Sequence, residues 1–178
     1  MTDAELVARV LDGHVADFAL LVDRHHADCL RFARHLLGNE HDAEDATQEA
    51  FVHAYTSLGR YDERNLFRAW LYRILVNQCR TLARQRGRRD RRFVQDPARV
   101  EGAEHPATAG RDDLREPLAA ALGALEPRMR EAFLLRYGEG MGYAEMARVT
   151  GSGVSALKMR VKRALAILRP RLEELLGG

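Results

Sequence analysis

Arg73, Asn77, Arg80 and Arg84 recur at steps of four, three and four residues between Asn65 and Gly87, so on a helix they share one face. Guanidinium groups suit phosphates, and an amide offers both a donor and an acceptor to the edge of an unpaired base. Just before them lies a short polar loop holding Arg60, Tyr61, Arg64 and Asn65, in which a tyrosine among cations can stack an unstacked base. After Gly87 the charge becomes dense, with Arg88, Arg89, Arg91 and Arg92 against a lone Asp90. Taken alone, the arginines equally suit a solvated face, and Tyr61 a cover for the end of the core. A second group, Asp45, Gln48 and Glu49, stands at i, i+3 and i+4. That patch suits a basic docking partner, although acids near a helix start also answer the helix dipole.

The elements that must position these groups are helices. Thr2-Asp3-Ala4-Glu5 reads as a capping box for a short helix ending at Gly13, followed by a second helix from about Ala16 to Leu37 that Gly38 and Asn39 stop. The third is expected from near Asp42 to Leu58. The fourth is expected to be capped by Asn65 and to run to Arg86, burying Phe67, Trp70, Leu71, Ile74 and Leu82. Periodicity is lost from Val94 to Pro117, where prolines, glycines and acids mark a flexible, net negative linker. Beyond it Leu118, Leu122 and Leu125 make a stripe, and Pro127 suits the first turn of a helix stopping at Gly138.

Tyr143–Val149, the turn Thr150–Gly153 and a longer helix from Val154 to Leu168, closed by Pro170, form a helix-turn-helix, whose second helix fits a major groove. Ser155, Lys158, Met159, Lys162 and Arg163 face out from that helix, with Arg160 at one flank. The expected fold is therefore all-α, with two small helical domains over 1–93 and 114–178 and a linker over 94–113.

The chain has 178 residues, ample for this plan, and 28 basic against 26 acidic residues, a net charge of +2. The basic groups cluster after Arg60 and the acids in 40–49 and 101–116, which points to one anionic partner and one basic one. Two isolated cysteines, Cys29 and Cys79, give neither a disulfide framework nor a paired metal site, and the absence of a signal peptide or long apolar run suggests a cytoplasmic protein. His25, His26, Cys29 and His35 lack a second matching pair of ligands.

Three stretches, Asp45–Phe51, Phe67–Ile74 and Glu145–Ala147 with Val154–Ala164, resemble in order and spacing the bacterial sigma factors of the extracytoplasmic-function group. The resemblance implies a protein without catalysis or cofactor of its own that carries core RNA polymerase to promoters. It implies that Asp45, Gln48 and Glu49 dock on the clamp coiled coil of the polymerase and that the helix-turn-helix module reaches its flap. Arg60, Tyr61, Arg64, Asn65, Arg73, Asn77, Arg80 and Arg84 would then meet the unpaired strand of the minus-ten element. Ser155, Lys158, Met159, Arg160, Lys162 and Arg163 would meet the minus-thirty-five duplex, with holding backbone as the alternative role of Arg160. Ser155-Ala156 and Met159 depart from the family's usual Gly-Thr and Ser, which obscures the promoter sequence. An anti-sigma protein is a common further partner in the family.

Two other readings stay open at this level. A dimeric helix-turn-helix regulator accounts for 143–168 but leaves the Asp45 patch idle. A helical metal-dependent phosphohydrolase would use His41-Asp42, with only His14, His25 and Asp45 as loose companions.

Overall fold

The computed structural model describes residues 1–62, 66–94 and 115–176, and every regular element among them is helical. Arg64, Asn65 and most of the expected linker lie outside the described residues, as do the side chains of Asp90, Arg91 and Arg92.

Helix α1, Asp3–Leu11, starts from the capping box: the Thr2 hydroxyl accepts from Glu5 N at 3.2 Å, and the Glu5 carboxylate accepts from Thr2 N at 2.7 Å. A 3₁₀ turn at Val15–Asp17 delays the second helix, so α2 spans Phe18–Leu37 and ends at Gly38 in the left-handed conformation, φ +65°. Helix α3, Glu40–Ser57, begins earlier than expected. Its cap is Asn39, whose Oδ1 accepts from Asp42 N at 2.8 Å. Helix α4, Phe67–Val94, runs through the stop expected at Gly87. A helical glycine costs about 1 kcal/mol relative to alanine, too little to end a helix that continues to add backbone bonds on both sides.

After 114 come α5, Arg115–Gly123, and α6, Pro127–Phe133, with Pro127 in its first turn. The chain then widens into a π turn over Leu134–Gly138, where Glu139 N donates to Leu134 O at 3.0 Å. Helices α7, Tyr143–Thr150, and α8, Val154–Leu176, close the fold. Helix α8 passes through Pro170, the expected stop. Pro170 and Ala166 are both exposed, so water can take the carbonyl that proline leaves without a donor.

Helices α1 to α4 pack together, as do α5 to α8, and the two groups share an apolar contact: α7 lies on α4, while α5 and α6 touch α2. Helix α4 is consequently buried on two sides. Besides the expected Phe67, Leu71 and Ile74, it buries Tyr72, Leu75, Val76 and Cys79. Among the described residues no helix is long and apolar enough to cross a membrane.

Candidate nucleic-acid and docking interfaces

Helix α4 presents Arg73, Asn77 and Arg84 to solvent, as their spacing predicted. Arg84 leans back along its own helix, with Nε donating to the Arg80 carbonyl at 3.2 Å. Arg80 departs from this face. Its Nε and NH2 donate to the two oxygens of Glu131 at 2.9 and 2.6 Å, and NH2 also reaches the Thr150 carbonyl at 3.3 Å. Three hydrogen bonds from two arginine nitrogens thus serve the second group of helices, and the expected open cationic stripe is interrupted here. Sequence periodicity sets the face of a residue but says nothing of a partner 51 positions away.

Arg60 is exposed at the end of a 3₁₀ turn, Leu58–Arg60. Tyr61 is half-buried rather than free, its ring centroid 5.0 Å from that of Trp70 and 5.9 Å from Phe67. Its hydroxyl accepts from Leu66 N at 3.1 Å. An apolar wall at the mouth of α4 attracts the ring more strongly than water does. The aromatic cluster still forms a platform directly before the exposed cations.

Asp45, Gln48 and Glu49 are exposed together on α3. Gln78, Thr81, Leu82 and Gln85 of α4 complete the opposite wall of a groove of about 390 Å³. That wall was missed from sequence, yet Gln78, Thr81 and Gln85 fall at i, i+3 and i+7, and the polar stripe was there to find. Ala46 and Ala50 are buried beside these residues on α3, and their small side chains suit the close packing of α3 on α4.

In the helix-turn-helix, α7 ends at Gly151 with φ +70°, the left-handed residue that turns the chain into α8. Thr150 Oγ1 accepts from Ser152 N at 3.2 Å, which tightens the turn. Leu157, Val161, Ala164 and Leu168 face inward, leaving Ser155, Lys158, Met159, Lys162 and Arg163 exposed in one band. Lys158 Nζ stands 5.7 Å from the centre of the Tyr143 ring. Arg160 is turned away from the band, its NH1 donating to Ser152 Oγ at 2.8 Å, so it braces the turn.

Two acids that sequence reasoning passed over have deeply buried side chains in the second group of helices. The side chains of Glu131 and Glu139 are each 3% exposed. Glu139 follows the π turn, which projects it onto α4. There Tyr72 Oη donates to it at 2.6 Å and Arg68 NH2 at 3.1 Å, while Arg31 NH2 reaches it from α2 at 3.4 Å. Burial, with Cys29 and Glu139 as neighbours, pushes the Tyr72 hydroxyl up, so it remains a donor. Arg130 adds a cap to α2, with NH1 donating to the Leu36 carbonyl at 3.0 Å, and burial lowers its pKa. Burial likewise pushes the Cys29 and Cys79 thiols up to about 12, which suits core positions and not reactive ones.

Comparison with known proteins bears on these surfaces. The family models for Sigma-70 region 2 and Sigma-70 region 4 match residues 21–89 and 115–168. The RNA polymerase sigma-H factor of Pseudomonas aeruginosa is 30% identical, with 98% of this chain and 95% of that protein covered. The ECF RNA polymerase sigma factor SigE of Mycolicibacterium smegmatis is 36% identical, over 84% of this chain and 59% of that longer protein. Among solved structures, the sigma factor RpoE from Bartonella quintana, in complex with the anti-sigma factor NepR, superposes with a TM-score of 0.70 at 31% identity, covering 90% of this chain and 97% of that one. With matches spanning both helical halves in order, the chain belongs to the ECF group of bacterial RNA polymerase sigma factors, the proteins that direct that enzyme to promoters.

Proposed function

We propose that the labour of this sigma factor is divided between a module over residues 1–93 and another over 114–178, with 94–113 as the tether. The groove edged by Asp45, Gln48 and Glu49 takes a basic element of core RNA polymerase, the clamp coiled coil, and the second module engages the flap. Arg60, Tyr61, Arg64, Asn65, Arg73, Asn77 and Arg84 hold the unpaired minus-ten strand, joined by Arg80 once Glu131 lets it go. Ser155, Lys158, Met159, Lys162 and Arg163 read the minus-thirty-five duplex, and Arg160 sets the turn that aims them. The protein works without a cofactor and performs no catalysis. Strand opening is driven by capture of the unpaired base, which offsets the cost of unstacking it. It acts in the cytoplasm, restrained by an anti-sigma protein as the Bartonella quintana relative is bound by NepR.

The observation that supports this reading is the pairing of two exposed, chemically different surfaces, Arg73, Asn77 and Arg84 on α4 and Ser155, Lys158, Met159, Lys162 and Arg163 on α8, on helices that match the two sigma regions. A near-neutral net charge fits a protein whose partner enzyme supplies much of the DNA contact. The test is run-off transcription by purified core polymerase on a genomic promoter library, with and without the chain. New start sites should appear with the parent chain and fade when Gln48 and Glu49 are both changed to Lys, in step with lost polymerase association. Identical transcripts with and without the chain would overturn the assignment.

A further inference from the structure

Glu131 and Glu139 have no ion-pair or side-chain partner within their own group of helices among the described contacts. Every such contact crosses to α2 or α4: Arg80 for Glu131, and Arg31, Arg68 and Tyr72 for Glu139. A carboxylate taken out of water is costly unless paired, and once paired its net contribution is small, because both partners are well hydrated when apart. Two such pairs therefore fix which surfaces meet more than how tightly they meet. Their positions on α4 are the telling feature. Arg80 lies one turn from both Asn77 and Arg84, so a strand that follows Arg73, Asn77 and Arg84 must cross it. The two-pronged grip of Arg80 on Glu131, through Nε and NH2, is also the geometry in which arginine grips a phosphate.

We infer that Glu131 and Glu139 form an internal latch: in the free chain the Glu131 carboxylate occupies Arg80, the station on α4 that a backbone phosphate of the unpaired promoter strand occupies once the two halves separate, while Glu139 holds the halves closed through Arg31, Arg68 and Tyr72. The inference rests on α4 being the strand-binding helix. It makes the closed form self-restraining, because Arg80 cannot serve Glu131 and a phosphate together. Arg68, held at 3.1 Å from Glu139 and also bonded to its carbonyl at 2.9 Å, is freed by the same opening.

The test uses the full chain with Glu131→Gln and Glu139→Gln together. Glutamine keeps size and an acceptor oxygen but removes the charge. The probe is a fluorescein-labelled single-stranded thymidine 12-mer, and compactness is followed as the radius of gyration by small-angle X-ray scattering. The latch predicts at least fivefold tighter oligonucleotide binding and a larger radius of gyration. Glu44 and Glu173 are exposed acids outside the contact, so E44Q with E173Q lowers negative charge equally and should stay within twofold of the parent. Equal gains in both double variants, or no change in affinity and radius, would overturn the latch. Tyr72→Phe leaves net charge untouched and removes one 2.6 Å bond to Glu139, so a smaller gain of about twofold is expected even if the double variant folds poorly. Circular dichroism monitors folding. Run-off transcription by the parent chain separates the two ideas: an inactive parent removes the strand-binding premise, whereas an active parent with an unchanged double variant removes only the latch.

Discussion

Asn77 can be separated from the fold, whereas Arg80, one turn along the same helix, cannot. The Asn77 side chain is exposed on α4, and its carbonyl already accepts from Thr81 Oγ1 at 2.9 Å as part of the helix surface. Asn77→Ala should leave unfolding within about 0.5 kcal/mol of the parent, as for most exposed substitutions. Loss of one amide contact to a base, worth about 1–1.5 kcal/mol, should lower transcription from a preferred promoter about five- to tenfold. It should also flatten preference at one unpaired position while polymerase association is retained. Run-off assays on promoters permuted base by base check this, and an unaltered ranking of bases would take Asn77 off the DNA surface. Replacing Arg80 instead would leave Glu131 buried without its cation, so its phenotype would mix folding with DNA binding.

Helices are positioned by turns, and the turn between α7 and α8 depends on backbone conformation more than on space. Gly151 sits at φ +70°, and a Cβ built there would meet nothing within 4 Å. Gly151→Ala should therefore cost about 1 kcal/mol from left-handed strain alone. In a chain of this size that lowers the melting temperature by about 2–4 °C. Gly151→Asn should come closer to the parent, since asparagine tolerates this region. Calorimetry of both variants, with duplex binding by α8 alongside, decides it; equal losses would mean that bulk and not φ is at fault. Most of this element level was legible from the chain. The Thr2 capping box, the Gly38 stop, the Pro127 start and the turn around Gly151 are local chemistry, and local chemistry is what a sequence displays. Gly87 and Pro170 misled because each is only a local penalty that the helix around it absorbs. The π turn and the second buried side of α4 were not legible. The second buried side exists because α7 packs on α4, and a contact so distant in sequence leaves no period to read.

The whole molecule keeps the two helical domains read from the sequence and adds a contact between them that the sequence did not display. The halves share one apolar core where α7 lies on α4, as well as the Glu131 and Glu139 pairs and the Arg130 cap on α2. A tether alone can impose proximity, since it raises the effective concentration of one module near the other to about millimolar even when their contact is weak. Cutting it removes that help. With a protease site inserted between Val94 and Arg115 and cleaved, the two halves at about 100 μM should still co-elute on gel filtration, because they share one apolar core and their buried acids are matched by cations across the contact. Separate elution would mean that the tether, not the interface, brings them together. Co-elution has a consequence for regulation. An intact chain that is closed about 99% of the time binds a strand about a hundredfold more weakly than its open form does, because affinity scales with the competent fraction. Any partner that holds the halves apart, core polymerase first among them, then raises promoter-strand affinity without touching the DNA.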